Sequence, residues 1–237
     1  MQWTLVTGAS RNLGKALAIQ LAKSGHNIVV HYKSNAKEAS IVAETCRQHG
    51  VKAETIQGDL SCATSTSDFI KRYSTKFPNT RVLINNVGNY HIGSALNTTP
   101  EQWISLFHTN LHAPFALSRS LTPSLIKNQG HIINIGVVGN TKGVNSTYCP
   151  AYMIGKHALW GLTQSLAKEL APQSVNVNMI SPGHLEHSVD LAKDLNTLPS
   201  GRPVHPDEIA SVLHFLLDEK NQQITGQNIE VAGGFAL

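Results

Sequence analysis

The chain predicts a single α/β domain built on a doubly wound parallel sheet. Three observations carry that prediction: short apolar β-rich runs recur along the sequence, helical periodicity fills the intervals between them, and the first run opens into a glycine-bearing turn. The runs fall at 4–7, 27–31, 53–57, 82–85, 131–135, 175–180 and 228–231. Leu13, Ala16, Leu17, Gln20 and Leu21 form the stripe of a first helix, which Ser24 and Gly25 close, the glycine suiting a left-handed stop. Further helices are expected over 36–49, 64–76, 100–126, 151–170 and 206–217. Thr98 and Thr99 ahead of Pro100 read as a cap followed by proline in the first turn, and Pro114 is expected to bend that long helix.

The 237 residues, 41% of them hydrophobic, suffice for one large core, and no repeat or composition break divides 1–237 into two domains. The net charge of +4 arises from 19 Lys+Arg against 15 Asp+Glu, scattered without a basic run. Scattered charge argues against a nucleic-acid reader and favours a small anionic ligand. The three cysteines, Cys46, Cys62 and Cys149, lack paired spacing and suit a reducing compartment. There is no charged segment followed by an apolar one at the start and no apolar run of membrane-spanning length, so a cytoplasmic protein without membrane contact is expected. Among the 12 histidines His108 and His112 share i,i+4 spacing, but no third ligand accompanies them, so no metal site is expected.

The turn Thr7-Gly8-Ala9-Ser10-Arg11-Asn12-Leu13-Gly14 lies between the first strand and the first helix, where a dinucleotide's pyrophosphate meets free backbone amides and the positive helix end. Gly8 permits the tight turn and Gly14 close packing, while Asn12 stands where a middle glycine is usual and tolerates left-handed backbone better than most residues. The end of the second strand reads His31-Tyr32-Lys33-Ser34, with no carboxylate before Glu38 to take the ribose hydroxyls of NAD. Lys33, Ser34 and Arg11 suit a 2′-phosphate instead, which favours NADP(H). Downstream, Tyr152 and Lys156 are one helical turn apart on one face. A nearby cation favours the phenolate, bringing a group of ordinary pKa about 10 toward acid–base work.

In order and spacing these segments resemble the short-chain dehydrogenase/reductase family over essentially the whole chain. The resemblance rests on T-G-x-x-x-x-x-G at 7–14, Gly58-Asp59-Leu60, Asn85-Asn86-Val87-Gly88, Asn110, the Tyr152/Lys156 pair, Ser181-Pro182-Gly183 and Val231-Ala232-Gly233-Gly234. It implies a Rossmann fold in which Asp59 and Leu60 adjoin the adenine, Asn86, Val87 and Gly88 line the cofactor, and Pro182 and Gly183 form the turn beneath the nicotinamide. It also implies that Lys156 binds the nicotinamide ribose and tunes Tyr152, that Tyr152 protonates the substrate oxygen, and that Asn110 distorts its helix to hold a water for proton relay.

The chain departs from the family where a substrate-orienting serine is usual, because Val137 stands there. Loss of one oriented donor at a developing oxyanion costs about 2.7–4 kcal/mol in other enzymes, so another hydroxyl must substitute or activity is low. Ser146, Thr147 and Tyr148 are the candidates. The segments Gly201-Arg202-Pro203, Pro206-Asp207-Glu208-Ile209 and Thr225-Gly226-Gln227 resemble 3-oxoacyl-carrier-protein reductases, while the Arg11–Gly14 turn and the His31–Ser34 run resemble pteridine reductases.

The resemblance therefore implies NADPH-dependent reduction of a carbonyl, such as a 3-oxoacyl thioester or small ketone. Pteridine reduction is the alternative, and a catalytically weak NADP(H)-binding sensor or scaffold the second. Residues 183–200 are the expected substrate loop, short and polar with His184, Glu186 and His187. A homo-oligomer, dimer or tetramer, is expected through the helices at 100–126 and 151–170, with Phe235-Ala236-Leu237 buried at another subunit contact.

Overall fold

The computed structural model describes residues 1–139, 141, 146–189, 191 and 194–236. The strands are β1 Trp3–Val6, β2 Ile28–Tyr32, β3 Ala53–Gln57, β4 Thr80–Asn85, β5 His131–Ile135, β6 Asn176–Pro182 and β7 Asn228–Val231. They form one parallel sheet in the order β3-β2-β1-β4-β5-β6-β7. The chain reverses direction across the sheet between β1 and β4, and a crevice opens at the carboxyl ends of strands at such a point.

The helices are α1 Asn12–Lys23, α2 Ala36–Arg47, α3 Ala63–Lys76, α4 Pro100–Phe107, α5 Ala113–Lys127, α6 Pro150–Leu170 and α7 Pro206–Leu217. They cover both faces, so the central strands β1, β2, β4, β5 and β6 are buried on both sides, while the edge strands β3 and β7 stay partly exposed. Val30 points into a core with α1, α2 and α7, represented by Leu17, Val42 and Leu213. Its neighbour Val29 points into the opposite core with α3, α5 and α6, represented by Phe69, Leu117 and Leu166. No helix among the described residues is long and apolar enough to cross a membrane.

Two expectations need correction. The helix expected over 100–126 is broken: α4 and α5 are separated by a π-helical turn, His108–His112. Asn110 lies inside that turn and its Nδ2 donates to the carbonyls of Leu106 (3.0 Å) and Asn89 (2.9 Å). The side chain thus takes a carbonyl four residues back that a regular helix gives to a backbone N–H, and Pro114, lacking an N–H, cannot bond back to the Asn110 carbonyl. The irregularity is centred on Asn110 rather than on the proline. The strand expected over 175–180 runs two residues further, to Pro182, whose carbonyl accepts from Val138 N at 3.1 Å. Thr99 caps α4 as expected, reciprocally with Gln102.

Candidate active site

The nucleotide end of the crevice is built by loops that hold one another. Thr7 Oγ1 accepts from the backbone N–H of Asn86 (2.9 Å) and Val87 (3.1 Å) and donates to Ile84 O at 3.1 Å. Asn86 Nδ2 donates to Thr7 O at 2.8 Å, so the turn after β1 and the turn after β4 close on each other. Asn12 adopts φ +49, the left-handed backbone that its place in the turn requires. A Cβ on Gly14 would collide with the Gly8 carbonyl, so the first turn of α1 packs directly on the glycine turn and leaves its amides bare toward the cleft.

The resulting cleft of about 350 Å³ brings together Gly8, Ser10, Arg11, Asn12, Leu13, Gly14, Tyr32, Lys33, Ser34, Asp59, Leu60, Asn86, Val87 and Gly88. Every residue expected to bind the adenosine and phosphate half of the cofactor therefore lines one cavity. Lys33 and Asp59, expected to serve phosphate and adenine, are also paired with each other at 3.0 Å. Burial pushes the Asp59 carboxyl up, but hydrogen bonds from Ser61 and Lys33 outweigh it and hold the group below its ordinary value. The pair faces solvent, with Lys33 60% exposed, and such pairs are worth little, so Lys33 is easily released to a stronger anion.

His31 also lines this cleft, in a role that sequence reasoning missed. Its Nδ1 accepts from Gly8 N at 3.0 Å, which puts the proton on Nε2, 3.2 Å from the Gly58 carbonyl. The ring lies edge-on to Phe69 with centroids 4.8 Å apart. Burial pushes its pKa down to about 4, outweighing the Gly58 hydrogen bond, so the neutral imidazole staples the turns after β1 and β3 to the end of β2. An aromatic-rich strand end gives no signal for such a staple, because its partners are backbone atoms brought together only by sheet pairing.

The second cleft, about 810 Å³, shares Leu13, Asn86 and Gly88 with the first. Its walls include Tyr152, Lys156, Pro182 and Gly183, as expected, and also Tyr90, Cys149, Met153 and Phe235, which sequence reasoning did not assign to this site. Tyr90 packs edge-on against Tyr152 with centroids 4.7 Å apart. Lys156 is 3% exposed and donates to the Ile135 carbonyl at 2.7 Å, and its Nζ lies 5.8 Å from the Tyr152 ring centroid. Burial pushes this ammonium down to about 8. The helix carrying both residues is tied to the sheet by a buried chain: Asn85 Nδ2 donates to Asn134 Oδ1 (2.8 Å), and Asn134 Nδ2 to Thr163 Oγ1 (2.9 Å).

Asn110 does not line either cleft. It stands behind Gly88, and its Oδ1 is buried without a hydrogen-bond partner among the described residues. A Cβ on Gly88 would lie 2.8 Å from that oxygen and 3.4 Å from Lys156 Nζ, so Gly88 is the bare point at which the two groups approach the cofactor loop. Val137 lines the second cleft, so an apolar group does face the space beside Tyr152. Of the substitutes considered, Ser146 and Tyr148 reach the wall and Thr147 does not. In the tail, Phe235 packs edge-on against His184, centroids 4.7 Å apart, and lines this cleft with Ala236. Leu237 lies outside the described residues.

A family model described as enoyl-(acyl carrier protein) reductase matches residues 8–236. The 3-oxoacyl-[acyl-carrier-protein] reductase FabG of Staphylococcus aureus (strain Mu50) is 33% identical over 245 aligned positions, covering 98% of this chain and 97% of the relative. Among solved structures, an acetoin dehydrogenase from Enterobacter cloacae superposes with a TM-score of 0.89 at 29% identity, covering 99% of this chain and 95% of its own. A blue fluorescent protein from a metagenomic library, solved in complex with NADPH, gives 0.90 at 25% identity, covering 100% and 98%. With the parallel sheet, the glycine turn and the Tyr152/Lys156 pair on one crevice, these matches show that the chain belongs to the short-chain dehydrogenase/reductase family.

Proposed function

We propose that the protein is an NADPH-dependent reductase of a carbonyl group, with a 3-oxoacyl thioester or a small ketone as substrate. The observation that carries this reading is the continuity of the two clefts through Leu13, Asn86 and Gly88, which joins Tyr152 and Lys156 to the cleft lined by the glycine turn. The lining of the groove supports this cofactor: the glycine turn at the start of α1 suits a pyrophosphate, and Arg11, Lys33 and Ser34, which line the same cleft, suit a 2′-phosphate. When bound there, NADPH supplies the hydride. Tyr152 gives its proton to the substrate oxygen, while the Lys156 ammonium, fixed by Ile135 O, favours the phenolate left behind.

The acetoin dehydrogenase similarity and the FabG similarity support small ketones and 3-oxoacyl thioesters respectively. A second reading, reduction of a pterin, is favoured by the rings of Tyr90, Tyr148 and Phe235 on the substrate cleft, which suit a flat heterocycle. The enzyme acts as a homo-oligomer, since α4 and α5 leave Ile104 (66%) and Phe115 (44%) exposed.

Loss of NADPH absorbance over a panel of 3-oxoacyl thioesters, small diketones and pterins tests the reading. Turnover with one class, abolished in Tyr152→Phe, is the expected result. Tight NADPH binding without turnover across the panel would overturn it in favour of a sensor or scaffold.

A further inference from the structure

Resting on the carbonyl-reductase reading, we propose that Ser146 is a catalytic residue: its hydroxyl donates to the substrate carbonyl oxygen the hydrogen bond that Val137 cannot. Four observations converge on it. First, the β5 end of the cleft, from Ile135 through Gly136, Val137, Val138 and Gly139, has no side-chain donor. The Glu230 carboxylate accepts there from Gly139 N at 3.0 Å. A developing oxyanion there would face Tyr152 on one side and hydrocarbon on the other.

Second, Ser146 lies on the wall of the same cleft as Tyr152, half-buried. Third, the Ser146 oxygen is already used as an acceptor. It takes the backbone N–H of Tyr148 and of Cys149, each at 3.2 Å. A serine hydroxyl has two lone pairs and one proton, so with both lone pairs occupied the group can act only as a donor, and its proton must point away from those two amides. The partner on the proton's side among the described residues is Cys149 Sγ at 3.8 Å, a weak acceptor that itself lines the cleft. A carbonyl oxygen entering the cleft is the stronger acceptor.

Fourth, the same two bonds set the hydroxyl's place relative to the acid. Cys149 precedes α6, and its carbonyl accepts from Met153 N (3.1 Å) in the turn that carries Tyr152. Ser146 is therefore one hydrogen bond from the first turn of α6, and donor and acid move together. The Tyr148 carbonyl, in turn, accepts from Gly93 N at 2.9 Å, which holds this segment against the loop bearing Tyr90. Ser188 is the other serine on this cleft. Its hydroxyl accepts from Leu185 N at 2.8 Å in the loop after β6 and has no comparable tie to α6. During reduction Ser146 keeps its proton: hydride goes to the carbonyl carbon, the Tyr152 proton to the oxygen, and Ser146 stabilises the charge between.

The test is a kinetic comparison of wild type, Ser146→Ala, Val137→Ser and the double variant, with the carbonyl substrate the wild type turns over best and thermal unfolding measured for each. Ser146→Ala also removes an acceptor from two backbone amides, so a loss of rate alone would not separate a donor from a structural cap. The expected result is a fall in kcat of about a hundredfold in Ser146→Ala, with Val137→Ser restoring at least tenfold of it in the double variant without restoring the melting temperature. Undiminished kcat in Ser146→Ala would overturn the assignment, and so would a loss that Val137→Ser leaves unrepaired. Absence of carbonyl turnover in the wild type would instead overturn the carbonyl reading, and this assignment with it.

Discussion

Replacing His31 by glutamine turns the neutral-imidazole staple into a measurable quantity. Glutamine presents an amide oxygen to Gly8 N and an amide N–H to Gly58 O, the two groups His31 now bridges at 3.0 and 3.2 Å, but it does not titrate. The folded-state pKa of His31 is depressed from 6.5 to about 4. Below pH 6.5 the unfolded chain takes up a proton that the folded chain refuses, so stability is full above that value and lost as pH falls toward 4. With these two values the loss is about 2 kcal/mol between pH 7 and pH 5 and about 3 kcal/mol by pH 4. Urea unfolding, followed by the fluorescence of buried Trp3 and the other tryptophans, gives the two stabilities at each pH. The other depressed histidines, His26, His108, His131 and His214, are present in both proteins and cancel in the difference. The wild type should lose about 2 kcal/mol more than His31→Gln on going from pH 7 to pH 5. Parallel stability curves for the two proteins would refute the staple, because they would mean that protonating His31 costs the folded state nothing.

Three further outcomes follow from the site. Gly88→Ala, whose Cβ would press on Asn110 Oδ1 and Lys156 Nζ, should lower kcat/KM by about tenfold or more while circular dichroism remains unchanged. The rate of carbonyl reduction should fall on the alkaline side with a midpoint near 8, where buried Lys156 loses its charge and its pull on the Tyr152 proton, and a pH–rate profile measures it. Arg11→Ala should weaken NADPH binding about tenfold, leave NADH binding nearly unchanged and flatten the salt dependence of the NADPH titration.

The strands, most of the helices and the nucleotide end of the site were legible in the sequence because each rests on local chemistry. Runs such as Ile28-Val29-Val30 can only be strands buried on both faces, and Gly8, Asn12 and Gly14 announce a turn whose backbone few other residues tolerate. The spacing of Tyr152 and Lys156 likewise follows from helical period alone. The resemblance implied a distortion at Asn110, but its form, a π-helical turn over His108–His112, was not legible, because it depends on Asn110 finding the Asn89 carbonyl 21 residues away.

By itself, then, the sequence determined the order of most elements, the glycine turn and the helical spacing of Tyr152 and Lys156, since these follow from propensity, periodicity and the demands of a tight turn, while the other expected cofactor residues came through the family resemblance. Tertiary structure alone decided which side chains meet across the chain. It made His31 a staple between two loops, buried Lys156 against Ile135, set Gly88 against Asn110, brought Phe235 to its own cleft, and placed Ser146 on the same cleft as Val137. The physical reason is that these contacts join residues whose neighbourhood is created by sheet pairing and helix packing, and no local rule of spacing or propensity registers them.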